Sequence, residues 1–439
     1  MCAPQQQAGA TTGAAARPPA AVTERRTVLK VAGAGGLALT FSTALGAGSP
    51  AYAAGNRDRR RAYVLVVDGC RPDEIDSGLM PNLAALRADG RHFPRAHSLP
   101  VMETLPNHVM MMTGVRPDRG GVPANEIYDR GLGETRTMDR PRDIRTTTVI
   151  ERLGRRGFRT GTVLSKDYLY GVFGERATHR WEPFPLLPVT DHAPDVFTME
   201  AALGMVEELD PHLVFVNLGD VDRVGHSDLT GGSLQALRRA ALASTDLQVG
   251  RFVEMLRSTG RWKRSIVVVL ADHSMDWSRP DRVVSLTSPL AADPLLAGNV
   301  AVAQNGGADL LYWTGPAKRR DRGVARMLEV ARGTAGVLSA HDRARSSWLR
   351  LGPDAGDVVA YCRAGWRFSD PMVVSNPIPG NHGHPATRPI PFFVGGGHPA
   401  AAKAVSSSLA ATVDVAPTIA DFFGLRGAPR GGWDGRSRI

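Results

Sequence analysis

Three short runs of β-forming residues end in aspartate. Val64-Leu-Val-Val67 runs into Asp68, Val214-Phe-Val-Asn-Leu-Gly219 into Asp220 and then Asp222, and Val267-Val-Val-Leu-Ala271 into Asp272. In an open α/β sheet the loops after parallel strands share one edge, where ligands bind. Carboxylates gathered there repel one another, so a cation belongs among them. Two of these stretches also supply histidine: Asp222-Arg-Val-Gly-His226 sets carboxylate and imidazole four residues apart, with Gly225 permitting a sharp approach, and Asp272-His273 sets them side by side. Pro379-Gly-Asn-His-Gly-His-Pro385 offers His382 between glycines. Mixed carboxylate oxygen and imidazole nitrogen suit zinc, with manganese or iron as alternatives. Singly, each residue could be a turn-capping aspartate or a surface histidine; together, at strand ends, they read as a metal centre. A further stretch, Glu103-Thr-Leu-Pro-Asn-His-Val-Met-Met-Met-Thr-Gly114, sets the Thr104 hydroxyl ahead of a proline and an apolar run. Pro106 falls where a helix would begin, so Thr104 is either a plain N-cap or a hydroxyl beside free backbone N–H groups that can cradle phosphate.

The elements that must position these residues are strands at 62–67, 160–164, 213–218 and 265–270, with helical patterns between them. The clearest helix spans 234–256, where Leu234, Leu237, Leu242, Val249, Val253 and Leu256 approximate a 3.6-residue period. A first helix is expected at 81–88 and a closing one at 414–423. Alternating strands and helices predict an α/β fold, a mainly parallel sheet covered on both faces. The stretch 281–352, rich in Arg, Gly and Pro, reads as a cap or an edge insertion, with short strands near Val300 and Leu310.

The chain has 439 residues, 43% of them hydrophobic, enough for a sizeable core. Its formal charge is +10, and +7 without the first 53 residues. Such a balance suits anionic substrates, but no basic stripe with interleaved aromatics marks specific nucleic-acid binding. Arg25-Arg26 precede a Gly/Ala-rich, weakly apolar stretch, and Ala51-Tyr-Ala53 offers small residues for cleavage. Residues 1–53 thus resemble a twin-arginine signal peptide, with 54–61 a linker and a secreted chain from Ala54. The stretch is too glycine-rich for a good membrane span, so none is expected after signal removal. Twin-arginine export carries folded proteins, which agrees with a cofactor loaded beforehand. Cys70 and Cys362 give no disulfide framework.

Taken in order, Asp68-Gly-x-Arg-Pro-Asp73, Thr104-Leu-Pro-Asn-His108 with Thr113-Gly-x-Arg-Pro-Asp118, Asp222-x-x-Gly-His226, Asp272-His273 and Asn381-His-Gly383 resemble the nucleotide pyrophosphatase/phosphodiesterase branch of the alkaline phosphatase superfamily. The resemblance covers about 62–425 and implies a three-layer α/β/α sandwich over 62–439. It also implies two divalent metal ions, zinc by the ligand types. Asp222, His226 and His382 would hold one; Asp68, Asp272, His273 and the Thr104 oxygen would hold the other. Thr104 is then the nucleophile, and Asn125, twenty-one residues on, the donor to a non-bridging phosphate oxygen; Asn107 is structural. Asp220 and His384 remain alternatives to Asp222 and His382. The Asp-Ser-Ala segment of true alkaline phosphatases and the Cys-x-Pro-Ser-Arg signature of sulfatases are both missing. The implied function is hydrolysis of small phosphate esters, diesters or nucleotide pyrophosphates, through a phosphothreonine. Diesters are favoured because the sequence offers one Asn donor and no evident clamp of positive charge for a dianion; a phosphomonoesterase is the alternative, and a phosphonate hydrolase or an inactive binding homologue come after it. Specificity is expected from 168–181 and 281–352.

Overall fold

The structure, a computed structural model, describes residues 59–183, 187, 191–230, 234–369 and 379–439. The expected signal at 1–53 and most of the linker at 54–61 lie outside the described residues. Among the described residues no helix is long and apolar enough to cross a membrane.

An apolar run such as Ala62 to Val67 is satisfied only by a strand covered on both faces, and Arg61–Val67 is buried along its whole length. It lies between Leu213–Leu218 and Ser265–Leu270, parallel to both, with Ala62 opposite Leu213 on one side and Ile266 on the other. Thr160–Leu164 and His179–Trp181 continue the parallel set beyond Leu213–Leu218. Phe392–Gly395 pairs antiparallel with Ser265–Leu270, and Arg91–His92 and Ala404–Val405 finish that edge of an eight-stranded sheet. Helices pack in two groups: Pro81–Asp89, Asp195–Gly204 and Ala236–Ser258 in one, and Thr104–Thr113, Val149–Gly154 and Val415–Phe422 in the other. The fold is an α/β sandwich of three layers.

The long helix departs from its expected span. It begins at Ala236, after Gln235 in the left-handed region (φ 50°). Leu234 and Leu237, read as the start of the buried stripe, are exposed, and Arg238 is the buried residue there instead. Its guanidinium spans to both oxygens of Glu74 (2.7 and 2.8 Å), Val221 O (2.7 Å) and Gly69 O (2.8 Å). A fully satisfied guanidinium can be buried where periodicity calls for an apolar side chain. The result ties the loop after the first strand to the helix that carries Asp222.

The stretch 281–352 contributes to a second sheet. Val300–Asn305, Ala308–Trp313, Val358–Cys362 and Val337–Asp342 pair antiparallel in that order, with Arg320–Gly333 against them. Leu311, Trp313, Met327, Val358 and Ala360 belong to an apolar cluster of their own.

Candidate active site

Because the first, fifth and sixth of these strands by chain order (Arg61–Val67, Leu213–Leu218, Ser265–Leu270) are parallel neighbours, Asp68, Asp222 and Asp272 leave the sheet at one edge. His226 follows on the helix Asp220–Ser227. His382 comes from the loop after Gly380–Asn381, which pairs with Asp276–Trp277 just past His273. His226 Nε2 lies 3.3 Å from Asp222 Oδ1, and His382 Nε2 3.9 Å from the same oxygen. His273 Nε2 is 3.4 Å from Asp272 Oδ2 and 3.7 Å from Asp68 Oδ1. The rings of His273 and His382 stack at 3.7 Å, and Thr104 Oγ1 is 3.3 Å from His273 Nε2. The six metal-ligand candidates from the strand ends and the 379–385 loop therefore meet in one cluster, which the Thr104 hydroxyl joins through His273.

The hydrogen bonds settle which atoms face inward. His226, His273 and His382 each direct Nδ1 at a backbone carbonyl: Gly380 O (2.8 Å), Ser274 O (3.0 Å) and Met102 O (3.2 Å). Nδ1 then carries the hydrogen, and the lone pair of each Nε2 points at the carboxylates. The carboxylates divide their oxygens in the same way. Asp68 Oδ2 accepts from Asn217 Nδ2 (2.9 Å), and Asp272 Oδ1 accepts from the N–H groups of Gly69 and His273. Asp68 Oδ1, Asp222 Oδ1 and Asp272 Oδ2 are buried and find no hydrogen-bond donor among the described residues. Buried anionic oxygens beside inward-facing imidazole lone pairs fit divalent cations with mixed oxygen and nitrogen preference. Asp222, His273 and His382 form one group with ligand atoms within 4.8 Å of each other; Asp68, His108 and Asp272 form another. His108 is an addition, yet both its nitrogens are engaged, Nδ1 with Thr104 O (2.9 Å) and Nε2 with Asn217 Nδ2 (3.2 Å).

The alternatives lie elsewhere. Asp220 Oδ1 accepts from His192 Nε2 (2.8 Å) and the Asp195 N–H (3.1 Å). His384 turns its Nε2 to Asp276 Oδ2 (3.1 Å). Cys70 and Cys362 are both free, buried thiols.

One further charged side chain joins the cluster, at a position the sequence motifs do not mark. Lys166 is fully buried, with Nζ 2.8 Å from Asp68 Oδ2 and 2.7 Å from Asp222 Oδ2. An ammonium therefore stands inside the cluster, paired with two of its carboxylates. The signal lies in the sequence, since Thr160–Leu164 is a fourth parallel strand and Ser165-Lys166 leaves its carboxyl end, but a lysine there lacks the carboxylate that marks the other three strand ends. Burial disfavours the charge on Lys166, and Asp222 and Asp68 outweigh it, raising the ammonium above its usual range. Burial likewise works against ionised Asp222, but the Lys166 ammonium outweighs it and holds Asp222 well below the usual carboxylate range. Asp68 is raised, by burial and then by Asp272. Burial lowers His273 to about 4 and His382 well below its ordinary value, so both imidazoles are neutral at physiological pH.

Thr104 opens the helix Thr104–Thr113 and is buried. The Leu105 N–H donates to Asn125 Oδ1 (2.9 Å), which brings Asn125 beside Thr104. Asn107 is buried one turn below, accepting from the Leu99 N–H (3.1 Å) and Thr412 Oγ1 (2.8 Å) and donating to Val101 O and Glu103 O (3.0 Å each).

The second sheet braces two of these segments. Asn305 Oδ1 accepts from the Glu126 N–H (2.8 Å), next to Asn125. At the turn between Val300–Asn305 and Ala308–Trp313, Gly307 passes under the His382 loop so closely that a Cβ would lie 2.2 Å from His382 O and 2.6 Å from His384 N.

A family model described as type I phosphodiesterase / nucleotide pyrophosphatase matches residues 62–383. The chain belongs to this family. All the residues gathered at the site fall within the matched span. Among curated relatives, mouse ectonucleotide pyrophosphatase/phosphodiesterase family member 3 is 24% identical over 237 residues, 50% of this chain and 25% of that one. The cattle bis(5'-adenosyl)-triphosphatase is 23% identical over 395 residues, 86% of this chain and 81% of that one. The chain spans from a quarter to about half of the first curated relatives it matches. Murine ectonucleotide pyrophosphatase/phosphodiesterase 5, in complex with AMP, shares the fold with a TM-score of 0.69 at 17% identity, over 84% of this chain and 96% of that one. Phosphonoacetate hydrolase from Sinorhizobium meliloti shares it with a TM-score of 0.64 at 20% identity, over 82% and 94%.

Proposed function

We propose that this member of the phosphodiesterase/nucleotide pyrophosphatase family is an exported hydrolase of small phosphate esters, acting on diesters or nucleotide pyrophosphates through a phosphothreonine on Thr104. One observation carries the reading: three imidazole Nε2 atoms and three donor-less carboxylate oxygens converge around a single hydroxyl at a helix N-terminus. Asp222, His226 and His382, and Asp68, Asp272, His273 and Thr104, would hold two divalent ions, zinc by donor type. Such ions supply positive charge beside the entering and leaving oxygens.

The chain's own residues do the rest. Thr104 Oγ1 loses its proton to solvent and attacks phosphorus in line, and the leaving alkoxide departs and is protonated by water. Asn125 Nδ2, assisted by the Thr104 N–H at the start of the helix, orients the non-bridging oxygens. Water then attacks the phosphothreonine, returning the hydroxyl and releasing the phosphoryl product. The inactive form of the murine structure carries a threonine-to-alanine change, which agrees with a threonine nucleophile. The paired arginines at 25–26 support export by the twin-arginine route.

A second reading, phosphomonoesterase, is favoured by Lys166. A buried ammonium among the carboxylates adds a charge suited to a dianion. Purified protein assayed with a chromogenic monoester and diester, with and without chelator, separates the two and tests the first. Chelation should abolish turnover, and Thr104→Ala should cost at least about 10³-fold in kcat. A Thr104→Ala protein as fast as the parent would overturn the nucleophile; a monoester rate above the diester rate would favour the second reading.

A further inference from the structure

We propose that Glu103 is a positioning residue for the reaction, holding the segment of Asn125 so that its side-chain amide faces the substrate phosphate. The inference rests on the functional reading above and concerns a residue outside the family motif.

Glu103 stands immediately before the nucleophile, at the N-cap of Thr104–Thr113, yet its side chain makes no cap to its own helix. It is 1% exposed, and its Oε2 accepts from the Asn125 N–H at 2.8 Å. A buried carboxyl group is costly to keep unless its contact matters. Its main chain is also anchored, the N–H to Val101 O and the C=O to Asn107 Nδ2 (3.0 Å).

An account of the polar groups of Asn125 gives the contact its meaning. The N–H goes to Glu103, the C=O accepts from the Met138 N–H (2.8 Å), and Oδ1 accepts from the Leu105 N–H (2.9 Å). Among the described residues only Nδ2 is left without a partner, and it is the donor that a phosphate oxygen requires. The Leu105 contact fixes which face of the amide turns inward. The Glu103 contact fixes the backbone from which the amide hangs. Nucleophile and phosphate donor are thereby cross-linked by two hydrogen bonds, through residues 103 and 105 on either side of Thr104. A small misplacement of either would then be felt in the transition state more than in substrate binding.

The test is a double-mutant cycle on the full-length, zinc-loaded protein, with bis(4-nitrophenyl) phosphate as the probe. Asn125→Ala should lose about 10²- to 10³-fold in kcat. Glu103→Ala should lose about 10- to 100-fold in kcat with little change in KM or zinc content. Glu103→Gln keeps a carbonyl oxygen for the same N–H and should restore most of kcat. The double variant should be no slower than Asn125→Ala alone, a result that a merely structural Glu103 would not give. If Glu103→Ala does not fold, Glu103→Met fills the same volume without an acceptor and takes its place in the cycle. Parent kcat in the Glu103 variant lacking the acceptor, or multiplied losses in the double variant, overturns the inference while leaving the functional reading intact. An Asn125→Ala protein as fast as the parent overturns the inference and the role of Asn125 as phosphate donor, while Thr104→Ala and chelation still decide the hydrolase reading.

Discussion

Gly307→Ala tests whether the second sheet sets the position of His382. The substitution adds one methyl group at a position with no positive φ to resist it, so backbone conformation is not the obstacle. Contact is. The new Cβ would lie 2.2 Å from His382 O, 2.6 Å from His384 N and 2.8 Å from His382 C. These are backbone atoms and cannot rotate away as a side chain can. To reach ordinary contact at 3.4 Å the two segments must part by about 1.2 Å. His382 Nδ1 is meanwhile anchored to Met102 O, so the displacement falls on the ring whose Nε2 faces Asp222. Misplacing a site residue by about 1 Å costs about 10²-fold in rate. We expect kcat to fall by about that factor at saturating zinc, and zinc to be lost more readily to a chelator. Turnover of a chromogenic diester and metal content by mass spectrometry measure the two effects. Gly333→Ala, where nothing lies within 4 Å of the added atom, is the control and should match the parent. If Gly307→Ala equals that control in both rate and zinc retention, the brace between the second sheet and the site is not what positions His382.

Lys166→Met removes the ammonium between Asp68 and Asp222; unfolding by urea in chelator should show a loss of about 3–5 kcal/mol, with a smaller loss in zinc. Equal losses in the two conditions would mean that the ammonium and the metal do not share the same carboxylates. Asn107→Ala deletes the buried contacts to Leu99, Val101, Glu103 and Thr412 and should cost about 3 kcal/mol by the same measurement; a loss below about 1 kcal/mol would refute its structural role. Asp210 meets Arg61 at 2.5 Å, Arg261 at 3.2 Å and Arg264 at 3.4 Å; burial opposes its charge, but the arginines outweigh it and lower it from 3.8 to about 2. A depressed folded-state value stabilises above the unfolded one, so about 1 kcal/mol, after screening of a partly exposed carboxylate, is present at neutral pH and lost as pH falls from about 4 to 2. Stability measured across that window should lose its steepest part in Asp210→Asn, and an unchanged slope would refute the assignment.

The sequence by itself determined the central sheet, because strands buried on both faces must be apolar throughout: Ala62–Val67, Leu213–Leu218 and Ser265–Leu270 have no other place to go. Parallel pairing then forces Asp68, Asp222 and Asp272 to one edge, and spacing alone supplied His226 and His273. What needed the tertiary structure was every contact made across long separations by groups whose type permits several roles. A lysine is usually a solvated surface residue, and only the approach of Asp68 and Asp222 makes Lys166 part of the site. A leucine stripe predicts burial, and only the carbonyls of Gly69 and Val221 with Glu74 explain why Arg238 takes that face. The second sheet, irregular in sequence, owes its meaning to Gly307 and Asn305, which touch the segments of His382 and Asn125. That Asp220 meets His192 and His384 meets Asp276 likewise shows only in three dimensions. Local pattern encodes burial and periodicity; the partner of a polar group is chosen in three dimensions.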